Sequence, residues 1–163
     1  MSFLKALIDF LVALFSKGED TPRVVDEKPS KRKYETLMKF PKKASIQYTQ
    51  SFNSNDFDCK CKQLCDETLL DSRIPNLLQQ LEDELGFQII ITSAYRCEQH
   101  NKNVGGSTTS THLEGLAVDL WCEDMDKLAK AIERINPEYS IGRYNGFLHL
   151  DLREEGRRWD FRK

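Results

Sequence analysis

The sequence lacks an apolar run long enough to cross a bilayer. Residues 3–15, FLKALIDFLVALF, fall short of the roughly 20 residues a spanning helix needs. It lacks charge of one sign: 24 Lys and Arg stand against 26 Asp and Glu, so no global field points to nucleic acid. It lacks paired CxxC motifs, and its five cysteines are an odd number, which fits poorly with a fully cross-linked secreted scaffold. No G-x-S-x-G element is present to carry a serine nucleophile. Gly105-Gly106 is without the lysine and hydroxyl residue of a phosphate-binding loop. The 163 residues have room for one core and an appendage.

Three parts are expected. Residues 1–16 form an apolar helix with Lys5 and Asp9 on a narrow polar stripe. Its length matches the apolar part of a signal peptide, but no small-x-small cleavage site follows Phe15. A basic stretch behind it opposes export, so anchor, signal and partner-binding helix all stay open. Residues 17–45 read as a disordered linker with Pro22, Pro29 and Pro41. Between Arg23 and Lys43 this linker carries eight Lys or Arg against three Asp or Glu. Residues 46–163 form the folded domain. Contact with a membrane or a partner is expected through residues 3–15.

Within the domain, Leu69, Leu70, Ile74, Leu77, Leu78, Leu81 and Leu85 recur at helical steps. Pro75 suits a first turn and Gly86 a C-terminal cap, so the main helix runs from about Pro75 to Leu85. Residues 87–92 are a buried strand, 116–121 a second strand, and 126–135 an amphipathic helix stopped by Pro137. Asn145-Gly146 joins strands 139–144 and 147–152 in a hairpin whose two turn residues should both take positive φ. Alternation puts Phe147, His149 and Asp151 on one face, and Leu148, Leu150 and Leu152 on the other. The fold class is α+β, a small antiparallel sheet carrying the site with helices on its other face. Cys59-x-Cys61-x3-Cys65 lacks the spacing of a structural zinc site; one disulfide, within the group or to Cys97, and reduced thiols are both open.

The chemistry gathers in Ser110-x-His112-x2-Gly115-x-Ala117-x-Asp119, completed by His149. Two imidazoles and one carboxylate are the ligand set of a catalytic zinc with an open position. One zinc ion is expected. Gly115 and Ala117 keep the backbone slim there. Arg96 closes the strand-like IIITSAYR and enters the same region. His100 makes a polar contact or faces solvent, and Trp159 seals the end of the domain.

The stretch SAYRCEQHNKNVGGSTTSTHLEGLAVDL, with GRYNGFLHLDLRE after it, resembles the zinc D-alanyl-D-alanine carboxypeptidase family, which shares its fold with the hedgehog signalling domain. The similarity runs from about Phe52 to Trp159 and is to the short phage and bacterial branch. It implies zinc on His112, Asp119 and His149, with Arg96 against the substrate or its oxyanion. It also implies a monomer that cleaves peptide bonds in peptidoglycan stem peptides, as a D,D-carboxypeptidase or an endopeptidase. One departure matters. The Glu or His that better-known members carry shortly before the last ligand is replaced here by the run Arg143 to Phe147. Asp151, sharing a face with His149, is then the candidate general base, or else a carboxylate that orients His149; Glu114 is the reserve. The alternative function is a zinc-bearing binding module without catalysis, or a virion component assembling through residues 3–15.

Overall fold

Leucines at helical spacing after Arg73 wind into α1, Arg73–Leu85, which buries Ile74, Leu77, Leu78 and Leu81 and closes on Gly86 with φ +74°. The second large helix, Met125–Ile135, starts where the Asp124 carboxylate accepts the Lys127 N–H at 2.9 Å. Such a cap is worth about 1 kcal/mol. Leu128, Ala129, Ala131 and Ile132 on this helix join the α1 residues in one core with Val118, Leu120, Ile141, Leu148 and Leu150 of a sheet. Each large aliphatic side chain buried there contributes roughly 1.5–3 kcal/mol.

The computed structural model describes residues 35–62 and 64–163. The expected N-terminal helix, and most of the expected linker, lie outside the described residues. The chain divides into Met1–Arg32 and Lys33–Lys163. Among the described residues no helix is long and apolar enough to cross a membrane.

Seven strands are described: β1 Leu37–Pro41, β2 Glu67–Asp71, β3 Ile90–Ser93, β4 Ala117–Trp121, β5 Ser140–Arg143, β6 Leu148–Asp151 and β7 Arg158–Asp160. A short α2, Glu98–Asn103, precedes β4, and the helix over Met125–Ile135 is α3. β1 and β2 form an antiparallel pair of their own. The larger sheet has the order β3-β4-β6-β5-β7. Its pairs are antiparallel except the last, where β7 runs parallel to β5. The architecture is α+β, as expected, with one parallel edge strand added.

Three local expectations are corrected. β1 lies inside the stretch 17–45 read as linker, so the folded unit reaches back past Ile46. Leu69 and Leu70 belong to β2 rather than to the approach of α1, because main-chain pairing with β1 overrides their helical spacing. The hairpin turn at Asn145-Gly146 forms, but neither residue takes positive φ. It is closed instead by the Tyr144 N–H donating to the Phe147 carbonyl at 3.1 Å and by stacking of those two rings at 4.4 Å. All five cysteines are unbridged.

Candidate metal centre

Strand register assembles the site. Asp119 on β4 lies opposite His149 on β6 and, on its other side, opposite Ser93 at the end of β3. Beyond His149 the row continues through Gly142 on β5 to Trp159 on β7. Residues directly opposite on one face hold their Cβ atoms about 5 Å apart, close enough for side chains to meet. His112 arrives from outside the sheet, on a 3₁₀ turn over Thr111–Glu114. That turn is pinned by the Arg96 N–H donating to the His112 carbonyl at 3.1 Å.

Three atoms converge. His149 Nδ1 is 2.8 Å from Asp119 Oδ1, His112 Nε2 is 3.1 Å from the same oxygen, and the two ring nitrogens are 3.2 Å apart. The other nitrogen of each ring has its own partner. His112 Nδ1 is 2.6 Å from the Ala94 carbonyl, an acceptor only, so that nitrogen carries the proton and Nε2 keeps a lone pair. His149 Nε2 faces Asp151 Oδ2 at 3.4 Å, which leaves the lone pair of the neutral ring on Nδ1. With the rings neutral, two nitrogen lone pairs and a carboxylate oxygen point at one another, an arrangement that repels unless a cation or protons sit among them. An N, N, O donor set of this kind fits zinc, and the three residues form a metal-competent group.

The surrounding charges hold this set in place. Burial pushes the Asp119 carboxyl upward, yet hydrogen bonds and charge from His112 and His149 hold it well below the usual carboxylate range. Burial lowers His149, while Asp119 and then Asp151 raise it above the ordinary imidazole value. Asp119 Oδ2, turned away from the histidines, pairs with Arg96 Nη2, and Arg96 Nε donates to Ser93 Oγ at 2.9 Å. Arg96 thus lies beside Asp119, with 15 % of its side chain exposed.

Asp151 sits on the far side of His149 from the convergence point, with no exposed surface. Arg153 clasps it through Nε at 3.1 Å, Nη2 at 2.8 Å and its own N–H at 3.0 Å, and the Thr111 hydroxyl lies 3.4 Å away. Although burial acts to raise it, His149 and then Arg153 hold the carboxyl below its usual value. A sealed carboxylate on the distal nitrogen has no path to a water at the centre. Its burial and the Arg153 clasp suit the orienting reading of the two better than the general base. Glu114 is half-buried on the turn after His112 and feels the charge of Arg153. His100 on α2 is not in the convergent group.

Two glycines have structural reasons that the sequence reading misplaces or omits. A Cβ on Gly115 would stand 2.6 Å from the Leu69 carbonyl group, so the slim backbone serves contact with β2 rather than with a ligand. A Cβ on Gly142 would stand 2.3 Å from the Trp159 indole. That gap lets the ring lie over β5, its centroid 5.5 Å from that of His149, with Nε1–H donating to the Tyr144 hydroxyl at 2.9 Å. Trp159 therefore walls the site. Glycine inside a strand is a sequence signal of close approach, but the parallel pairing that brings Trp159 there is not readable locally.

A family model described as Peptidase M15 matches residues 50–151, more than half of the chain, and spans Arg96 and all three convergent residues. No curated protein matches the chain.

Proposed function

The chain belongs to the Peptidase M15 family, and from that premise we propose that it is a zinc metallopeptidase cutting peptide bonds in the stem peptides of peptidoglycan, as a D,D-carboxypeptidase or an endopeptidase. The observation that carries this reading is the meeting of His112 Nε2, Asp119 Oδ1 and His149 Nδ1 at one point. The substrate class rests on the resemblance of Ser93 to Arg96, Val104 to Gly106 and Ser110 to Asp119 to peptidoglycan-cleaving enzymes. Residues 3–15 are then the element that brings the domain to an envelope, a membrane or a particle.

Zinc bound by His112, Asp119 and His149 would supply Lewis acidity that polarises a scissile carbonyl and acidifies water. The chain's own groups do the rest. Asp119 uses one oxygen toward the histidines and the other toward Arg96, which fixes its carboxylate plane. Arg96 spends Nε on Ser93 and Nη2 on Asp119, and its guanidinium charge would stabilise the developing negative charge on a substrate oxygen. A donor so placed is typically worth about 3–4 kcal/mol to turnover. Asp151 acts only through His149, holding the tautomer that keeps Nδ1 free. Trp121, two residues along from Asp119, is 44 % exposed and pairs across the sheet with exposed Ile90, giving an extended peptide an apolar rim to lie against.

The test is mass spectrometry of purified peptidoglycan fragments after incubation with the zinc-supplemented full chain and with His149→Ala. Loss of one terminal alanine that requires His149 identifies a D,D-carboxypeptidase, and an internal cut an endopeptidase. Intact stem peptides from a chain with zinc shown to depend on His149 would overturn the hydrolase and leave the binding module.

A further inference from the structure

Four of the five cysteines lie together in a group separate from His112, Asp119 and His149. The sulfurs of Cys59, Cys61, Cys65 and Cys97 all fall within 4.8 Å of one another, and none is bridged. Cys61 Sγ and Cys65 Sγ lie 3.3 Å apart. A tetrahedral zinc with Zn–S bonds of about 2.3 Å spaces its sulfurs by roughly 3.8 Å, so this cluster needs only small side-chain shifts to close on an ion.

The surroundings suit thiolates better than they suit a small apolar core. Cys59, Cys61 and Cys97 form a cluster separate from the main core, with only Cys65 and Tyr95 packed against it. Cys59 is 1 % exposed, Cys61 7 % and Cys97 9 %. The Cys97 N–H donates to Cys59 Sγ at 3.3 Å, as backbone amides do toward metal-bound sulfur. Lys42 reaches in from the opposite side, donating to the Cys61 carbonyl at 2.8 Å with its ammonium 3.4 Å from Cys61 Sγ. Four thiolates about a divalent cation leave a double negative charge, and Lys42 offsets part of it. The described residues between Asp58 and Asp66 carry no helix or strand, so the path of this segment depends on what its cysteines hold.

We propose that Cys59, Cys61, Cys65 and Cys97 form a second metal centre, a closed four-thiolate site for a thiophilic divalent cation, zinc foremost. It is structural: it ties the segment ahead of β2 to the start of α2. Cys97 directly follows Arg96, whose N–H holds the His112 turn, so the centre also braces the arginine from behind. The site stands apart from the peptidase reading and does not depend on it.

The experiment is metal analysis of the full chain by inductively coupled plasma mass spectrometry, with His149→Ala and Cys97→Ser, followed by cobalt substitution. Two zinc equivalents are expected for the parent chain and one for each variant. Cobalt-loaded His149→Ala should show an intense sulfur-to-cobalt charge-transfer band in the near ultraviolet, which needs no folded cysteine variant to interpret. The proposal is overturned if His149→Ala carries no metal and no such band. It is equally overturned if alkylation under denaturing conditions finds these cysteines oxidised before any reductant is added. A chain with both zincs bound, one depending on His149 and one on Cys97, that leaves peptidoglycan intact would sink the peptidase and keep this centre.

Discussion

Replacing Asp151 with asparagine separates a positioning carboxylate from a catalytic base. The side chain is sealed from solvent, and Arg153 and the His149 Nε2 are its ion partners. Asparagine keeps the volume but adds an N–H donor. If the amide nitrogen turns toward His149, the ring must accept there and move its proton to Nδ1, covering the lone pair meant for the metal. If the amide oxygen turns toward His149, the NH2 group confronts Arg153 Nε and its backbone N–H, donor against donor. In the first orientation the NH2 group also meets Arg153 Nη2, which shares that oxygen position with His149, so each orientation loses a contact to Arg153. Losing the partner that orients a ligating histidine typically costs 10- to 100-fold in metal affinity, or about 1.4–2.7 kcal/mol. Stability of the metal-free fold should fall by about 1–3 kcal/mol. That is less than the loss of a fully buried ion pair, because 26 % of the Arg153 side chain reaches solvent. Zinc affinity would be read by competition with a chromogenic chelator, and turnover on stem peptides at saturating zinc. The zinc Kd should rise 10- to 100-fold while turnover at saturation largely recovers. Unchanged zinc affinity with abolished turnover would refute the reasoning and return Asp151 to the role of base.

Gly142→Ala drives a methyl group into the Trp159 indole; the overpacking should cost about 1–3 kcal/mol in thermal unfolding, and Trp159→Ala in the same chain should restore part of it. Gly115→Ala combines φ +70° with a Cβ 2.6 Å from the Leu69 backbone. It should cost at least ~2 kcal/mol, and denaturant melts that match the parent would show that β2 can move away. The metal-free protein should have a bounded pH optimum. Asp119 and Asp151 are held low, so their stabilisation is present above the ordinary carboxylate value of about 4 and disappears as pH falls through their folded values. His149 is raised, so its stabilisation is complete below about 6.5 and is lost as pH rises through its folded value. Measured against metal-free His149→Ala, which keeps the opposing slope of the Cys61 thiol lowered to about 6, the metal-free melting temperature should decline from about pH 6 to pH 8 while the gain on adding zinc grows, since zinc needs the neutral ring. A parent that gains stability relative to that variant over this interval would contradict the charge pairing.

The convergent residues are legible in the sequence because a strand's period of two fixes direction without knowledge of its neighbours. Leucines at 148, 150 and 152 claim the core, which turns His149 and Asp151 to the other face, and the turn at Asn145-Gly146 sets β6 against β5. What supports those residues comes from pairing between distant segments, and only fragments of it show locally. β2 hides because Leu69 and Leu70 also fit the helix that follows, and its partner β1 lies in a charged, proline-bearing stretch. The cysteine cluster hides because its fourth member comes after α1 and β3 have intervened. One local signal does bear on mechanism. Asp71-x-Arg73, Asp151-x-Arg153 and Asp160-x-Arg162 each close the same clasp, the arginine giving its backbone N–H and its guanidinium to the aspartate two residues before it. Each clasp begins at the last residue of a strand, β2, β6 and β7 in turn. An aspartate ending a strand in D-x-R has therefore committed its charge to its own chain before any substrate arrives. On the proposed reading, Asp151, two residues from a metal-competent histidine, holds that histidine still rather than exchanging protons with water.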